Sequence, residues 1–437
     1  MQVRLDYGHT GLEVLFSDDL DVSILEPARG VPLVDPARAV AEALAAPIGT
    51  RALAELARGR RDAVVVISDK TRPVPYGIVL PPLLGALEQA GIHRDRIEIL
   101  VATGLHRANT PAELAEMTSP DLVARYRFRN HDARDSGQHV HLGRSARGTE
   151  IWLDRGFVAA DCKVVTGLIE PHLMAGFSGG RKAVAPGCAG VDTMRSLHGA
   201  EMLESPLGPG IIDGNPFHDE LLDIARRVRV DFVCDVAIDR SRRLTGVFAG
   251  DLERAHAAGM RAVEQHVRAD LDRPADIVIT SAGGFPLDDT YYQSIKGLVA
   301  ALNIVRRGGT IILAAAIGEG IGSAEFQRLL SETRGNDDFM ARVLRAGFFT
   351  IDQWMVQHLC QVRRKADVIL VSGGVPAEMV PGLMASSAAT VEDALADCVQ
   401  RYGRRAHIAV LPQGPYVLAT VRGRKLSLGR AWMDNAA

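Results

Sequence analysis

The sequence predicts an α/β protein of two α/β domains, each built on a mostly parallel sheet, with the active-site cleft between them. Three observations carry this expectation. Short β-rich apolar runs alternate with helix-like segments. The runs end in Asp, Gly or Thr, as strands that feed polar loops do. A charged, proline-bearing stretch near 265–275 separates two sets of such runs.

Taken in order, the start MQVRLDYGHTGLEVLF lacks the basic and then apolar regions of a signal peptide. AVVVISD (63–69) and IEILVATG (97–104) read as buried strands, because β-branched runs of this length suit a sheet covered on both faces. Between them, YGIVLPPLLGALEQAG has helical apolar spacing and ends at Gly91, a residue type that stops helices. CKVVTGLIE (162–170) is the third strand. QHVRADLDRPAD marks a boundary between a cofactor-binding and catalytic unit over 1–268 and a substrate-binding unit over 272–406. IVITSAGG (277–284), TIILAAAI (310–317) and ADVILVSGG (366–374) are strands of the second unit. The strand-like AHIAVLPQGPYVLATVRG (406–423) is expected to return, with the tail 408–437, to the first.

The 437 residues leave room for two or three domains. A net charge of −3 offers no basic stripe for nucleic acid. No apolar run approaches the ~20 residues of a membrane span. The five cysteines are scattered, without C-x-x-C, and read as reduced thiols of a cytoplasmic protein. Neither nucleic acid nor membrane is expected as a partner.

Parallel sheets bind ligands beyond the carboxyl ends of their strands, so chemistry is sought there. SDKTRP (68–73) and ATGLHR (102–107) stand at successive strand ends. Each alone reads as an ordinary loop; together they suit a site. FSGGRKAV (177–184) resembles an anion cradle, with paired glycines and the charges of Arg181 and Lys182. The plainer alternative is a tight turn with a solvated Arg-Lys pair. GEGIGS (318–323) ends in Ser323 where the dinucleotide fingerprint has a third glycine or alanine. HVH (139–141) sets two imidazoles on one strand face without a third ligand, and reads as a surface strand. In YYQSIKG (291–297), Gln293 and Lys296 share a helix face and could grip a carboxylate.

In order along the chain, SDKTRP, ATGLHR, NHD (130–132), GLIEPHLMAGFSGGRKAVAPGCAG, LHG, DGNPFHDEL (213–221), SAGGFPLDDTYYQSIKG (281–297) and GGTIILAAAIGEGIGS (308–323) resemble the nickel-dependent lactate racemase family. The resemblance runs from about 60 to 325, and the long central block is its most specific part. It implies a nickel-pincer nucleotide, a Ni(II)-pyridinium-3,5-bisthiocarboxylate mononucleotide made by dedicated maturation enzymes and attached covalently through Lys182. It implies His198 as the single protein ligand to nickel, and His106 and His172 as acid/bases. It further implies that Asp69, Lys70, Thr71 and Arg72 contact the cofactor, and that Arg72, Gln293, Lys296 and Trp354 bind the substrate.

The residue chemistry agrees with these roles. Imidazole is a good nickel ligand, arginine grips carboxylates, and histidines titrate near neutral pH. The expectation is a racemase or epimerase acting at C2 of a 2-hydroxy acid. One histidine takes the hydroxyl proton while hydride passes to the pyridinium ring and returns on the other face. The rivals are an NAD-dependent 2-hydroxy acid dehydrogenase, and a non-catalytic cofactor- or ligand-binding protein on the same scaffold. The incomplete GEGIGS fingerprint counts against the first. The retained histidines and carboxylate binders count against the second. These motifs set neither the particular acid nor the oligomeric state.

Overall fold

The computed structural model describes residues 1–423 except Arg29 and Ala346. Two six-stranded sheets organise them. In the first, the strands lie in the order Leu244–Gly250, Phe232–Ile238, Cys162–Leu168, Ala63–Ser68, Ile97–Ala102 and Arg127–Asn130. Only the pair at the Leu244–Gly250 edge is antiparallel. Ala63–Ser68 and Cys162–Leu168 are buried almost throughout, which explains why they are mostly apolar.

Helix Tyr76–Gln89 packs on this sheet through Tyr76, Val79, Leu80, Leu83, Leu84 and Leu87, at spacings of one, three and four. It stops where Gly91, at φ +98°, donates its N–H to Glu88. A side chain there would be strained.

The second sheet has the order Ser386–Ser387, Ala366–Val371, Val305–Ala314, Ala275–Ser281, His407–Leu411 and Asp21–Ile24, and is parallel throughout. Two expectations are corrected here. His407–Leu411 does not return to the first unit; it inserts between Ala275–Ser281 and Asp21–Ile24. Leu418–Val421 then pairs with Arg268–Leu271, and the rest of the tail, 424–437, lies outside the described residues. The chain's first 25 residues also join the second unit. The hairpin Gln2–Leu5 with Leu12–Leu15 places Val3, Leu5, Val14 and Phe16 in a core with Ile277, Ile279 and Val410. A short apolar strand carries no mark of the sheet it will join. An unpaired edge with a matching apolar face decides that.

In each sheet the chain reverses its direction of travel once. From Ala63–Ser68 it moves outward through Ile97–Ala102 and Arg127–Asn130, then returns to Cys162–Leu168 on the other side. From Ala275–Ser281 it moves through Val305–Ala314, then returns to His407–Leu411. Loops diverge at such switch points and leave a crevice beyond the carboxyl ends. Both crevices open onto one cleft. No helix among the described residues is long and apolar enough to cross a membrane.

Candidate active site

The cleft has about 1020 Å³ of open space. Ser68, Asp69, Thr71 and Arg72, with Ala102–His106, line it from the ends of two strands of the first sheet, and Thr166–Leu168 and His172 from a third. The second unit contributes Tyr292, Gln293 and Lys296 from helix Tyr291–Ala301, and Trp354 and Met355 from helix Gln353–Lys365. A smaller recess of about 380 Å³ shares Arg72, His172 and Lys296 and extends to Glu170, Leu287 and Tyr416.

His106 Nδ1 donates to Asp69 Oδ2 at 2.6 Å. Thr71 also donates to Asp69, from its N–H at 3.1 Å and its hydroxyl at 2.6 Å. Burial alone would raise the Asp69 carboxyl, but His106, Thr71 and Arg72 bring it down to about 2. With the ring proton on Nδ1, the Nε2 lone pair of His106 is an acceptor. Gln293 Nε2 approaches it at 3.3 Å, while Gln293 Oε1 accepts from the Lys296 ammonium. One amide therefore links the base of one unit to the cation of the other.

His172 is held the opposite way. Its Nδ1 accepts the N–H groups of Met174 and Ala175, each at 3.1 Å. The neutral ring must then carry its proton on Nε2. Burial, then Lys182, Arg72 and Lys296, keep its pKa well below the ordinary histidine value. The turn responsible is a two-residue pairing of Pro171–His172 with Gly176–Phe177.

Lys182 lines the cleft half-buried, and no described side chain hydrogen-bonds its Nζ. Burial first, then Arg72 and Lys296, hold its amine well below lysine's ordinary value. A lowered pKa leaves more of an unpartnered amine in its nucleophilic free-base form. Burial and then Arg72 push Lys296 down to about 7. Arg72 Nε pairs with Glu170 Oε1 at 2.9 Å, and Glu170 Oε2 is buried without a partner.

His198 caps the carboxyl end of helix Val191–Leu197, donating its N–H to Met194 at 2.8 Å. Its ring lies 4.5 Å from Trp354 and 5.6 Å from Phe217, and its buried Nδ1 has no partner. Trp354 Nε1 donates to Tyr292 at 2.9 Å.

Of the residues expected here, Asp69, Thr71, Arg72, His106, His172, Lys182, His198, Gln293, Lys296 and Trp354 all line the cleft. Lys70 does not. Asp69 and Thr71 turn inward onto each other, which sends the intervening side chain outward. Its ammonium meets Glu319 at 3.0 Å and Glu113 at 3.2 Å. That takes Lys70 from the cofactor set to a bridge between the units. The GEGIGS loop is engaged in the same bridge through Glu319, and its Ser323 caps helix Ala324–Glu332. The two imidazoles of HVH have different surroundings: His139 is buried against His131, and His141 is exposed on Trp152. Sequence reasoning missed Glu170 and Tyr292. Glu170 had a usable signal, since an acid at the end of a buried strand needs a cationic partner.

The residues of this cleft come from both halves of the chain, and both halves have relatives. Residues 7–208 match the lactate racemase N-terminal domain, and 271–419 the lactate racemase C-terminal domain. The chain is 34% identical over 421 residues to a lactate racemase of Thermoanaerobacterium thermosaccharolyticum, covering 95% of this chain and 98% of that one. It is 34% identical over 378 residues to one of Lactiplantibacillus plantarum, covering 86% and 89%. The lactate racemase apoprotein structure from the first organism superposes with a TM-score of 0.90 at 33% identity, over 96% of this chain and 100% of that one. A Thermotoga maritima protein, 18% identical over 90% of this chain and 100% of its own, shares the fold at a TM-score of 0.73. With relatives matched along nearly its whole length and the same architecture around the cleft, this chain belongs to the lactate racemase family of isomerases.

Proposed function

We propose that this enzyme is a racemase or epimerase that inverts the hydroxyl-bearing C2 of a 2-hydroxy acid, lactate or a larger one. The observation that carries the reading is a pair of imidazoles fixed in opposite tautomers within one cation-lined cleft. An enzyme that handles both enantiomers meets the substrate hydroxyl in two orientations. His106 Nε2 accepts the hydroxyl proton in one and returns it to the oxygen, and in the other the neutral His172 ring holds the oxygen by a hydrogen bond from Nε2–H. Arg72 and Lys296 bind the carboxylate, and its arrival frees Gln293 from Lys296 to orient the substrate.

The residues also fit a nickel-pincer nucleotide. Lys182 offers an unpartnered amine, held below lysine's ordinary pKa, for the covalent link. In the cleft wall, His198 has a buried ring nitrogen without a partner, and imidazole is a suitable nickel donor. Among the described residues no group of three His, Cys, Asp or Glu is placed to hold a metal, so further donors would have to come with the cofactor. Lys182 would tether the group, His198 would ligate its nickel, and Asp69, Thr71 and Arg72 would contact it. When bound, the group supplies the acceptor and donor of the C2 hydride. The chain's own residues hold the carboxylate, exclude water from C2 and manage the hydroxyl proton.

Five free, buried cysteines suit a reducing compartment, so we place the enzyme in the cytoplasm, with the cofactor-maturation enzymes as its partners. The test is a panel of enantiopure 2-hydroxy acids given to cofactor-loaded protein and followed by chiral chromatography. Conversion to the other enantiomer or epimer without net oxidation is the expected result. Net oxidation coupled to free NAD would favour the dehydrogenase reading instead.

A further inference from the structure

Behind the cleft wall lie three buried side chains that take no part in the chemistry above. Arg181 is 1% exposed. Its Nη2 donates to the carbonyls of Ala175 at 2.7 Å and Phe177 at 3.2 Å, and its Nη1 donates to His256 Nε2. A guanidinium only donates, so His256 must present a lone pair at Nε2 and carry its proton on Nδ1. That proton goes to Asp235 Oδ2 at 2.7 Å. The other oxygen of Asp235 accepts the N–H of Gly180 at 3.1 Å. One anion, one neutral ring and one cation leave no net buried charge.

The packing shows how closely this set grips the loop. A Cβ on Gly180 would stand 2.8 Å from the His256 ring. One on Gly179 would stand 3.0 Å from Asp235 Oδ2. The loop is thus clamped from behind at Ala175, Phe177 and Gly180. Ala175 leads from the clamp to the cleft: Arg181 holds its carbonyl, and its N–H is aimed at His172 Nδ1. Gly180 begins the turn Gly180–Ala183, which carries Lys182.

We propose that Asp235, His256 and Arg181 form a positioning relay that fixes residues 175–180, so that His172 keeps its proton on Nε2 and Lys182 stays in the cleft. None of the three lines the cleft, so they act through His172 and Lys182. The proposal rests on the roles given to those two residues above.

Histidine ring tautomers can be read from two-bond ¹H–¹⁵N correlations of the purified chain labelled at histidine. The His172→Gln spectrum identifies the His172 signal. In the wild type this signal should report a proton on Nε2. His256→Asn keeps a donor for Asp235 but cannot reach Arg181, and His172 should become a mixture of tautomers. His256→Gln puts an amide oxygen near the former Nε2, and should restore the wild-type signal. In cofactor-loaded enzyme, His256→Asn should lower kcat by about 10- to 100-fold with KM unchanged, the usual effect of a misplaced catalytic group. His256→Gln should recover most of that loss. A wild-type His172 protonated on Nδ1 would overturn the relay even if neither variant folded. So would an unchanged His172 signal and kcat in His256→Asn. A wild type that shows the expected tautomer but racemises nothing would instead overturn the functional reading and leave the relay standing.

Discussion

His106 Nδ1 stands 2.6 Å from Asp69 Oδ2, although the two residues follow different strands. The pairing directs the imidazole lone pair to Nε2. With its pKa at about 2, the Asp69 carboxylate stays ionised until the pH falls towards that value. Asp69→Asn removes the anion that holds the Nδ1 proton and lets the ring adopt the wrong tautomer. We expect kcat to fall on the order of 10²- to 10⁴-fold, with substrate affinity kept. A variant turning over within a few-fold of the wild type would remove Asp69 from the mechanism.

Arg72 and Lys296 belong to different units but line the same cleft. Losing a charge-assisted hydrogen bond costs about 1.5–3 kcal/mol, or roughly ten- to a hundredfold. Arg72→Ala and Lys296→Ala should each lower kcat/KM by at least that much, with circular dichroism unchanged. Wild-type kinetics in both would show that the carboxylate binds elsewhere.

Burial, then Arg72, hold Lys296 at about 7. A depressed lysine is charged below that pH and neutral above it. Carboxylate binding should therefore weaken as pH rises through about 7. KM should climb by up to about tenfold per pH unit, the limit for loss of one proton. Lys296→Arg stays charged and should flatten that limb. An equally steep limb in Lys296→Arg would assign it to another group.

The unpartnered amine of Lys182, held below lysine's ordinary pKa, should carry the cofactor once maturation enzymes are co-expressed. Intact-mass spectrometry should show an adduct absent from Lys182→Ala. Lys182→Arg should lack it too, because a guanidinium cannot form the same linkage. Active protein of unmodified mass would contradict the tether.

Substrate deuterated at C2 should racemise in ordinary water and keep its label, because a transferred hydride does not exchange with solvent whereas a proton on a histidine does. His106→Ala and His172→Ala should each slow both directions, by about 10²- to 10⁴-fold. Washout of deuterium in step with racemisation, read by mass spectrometry, would replace hydride transfer with proton abstraction at C2.

How much of this was legible varies residue by residue. Ala63–Ser68, Ile97–Ala102 and Cys162–Leu168 were readable as strands because most of each is buried on both faces and therefore apolar. Their polar ends marked the cleft, since a parallel sheet offers a ligand its carboxyl ends. Lys70 misled because adjacency in a loop does not say which way a side chain turns, and only the Thr71–Asp69 hydrogen bonds decide that it points out.

By itself the sequence determined the α/β class, the loops that carry the chemistry and the residue types within them. Each of these follows from local burial and backbone preference. Tertiary structure alone decided that the first 25 residues and His407–Leu411 complete the second sheet. It also decided that Glu170 occupies Arg72, and that His106 and His172 hold their protons on opposite nitrogens. The physical reason is the same in each case. An open strand edge, a buried charge and a ring nitrogen all take the partner that folding brings within hydrogen-bond reach, and that partner lies far away in the chain or in the local path of the backbone, where residue type leaves no trace.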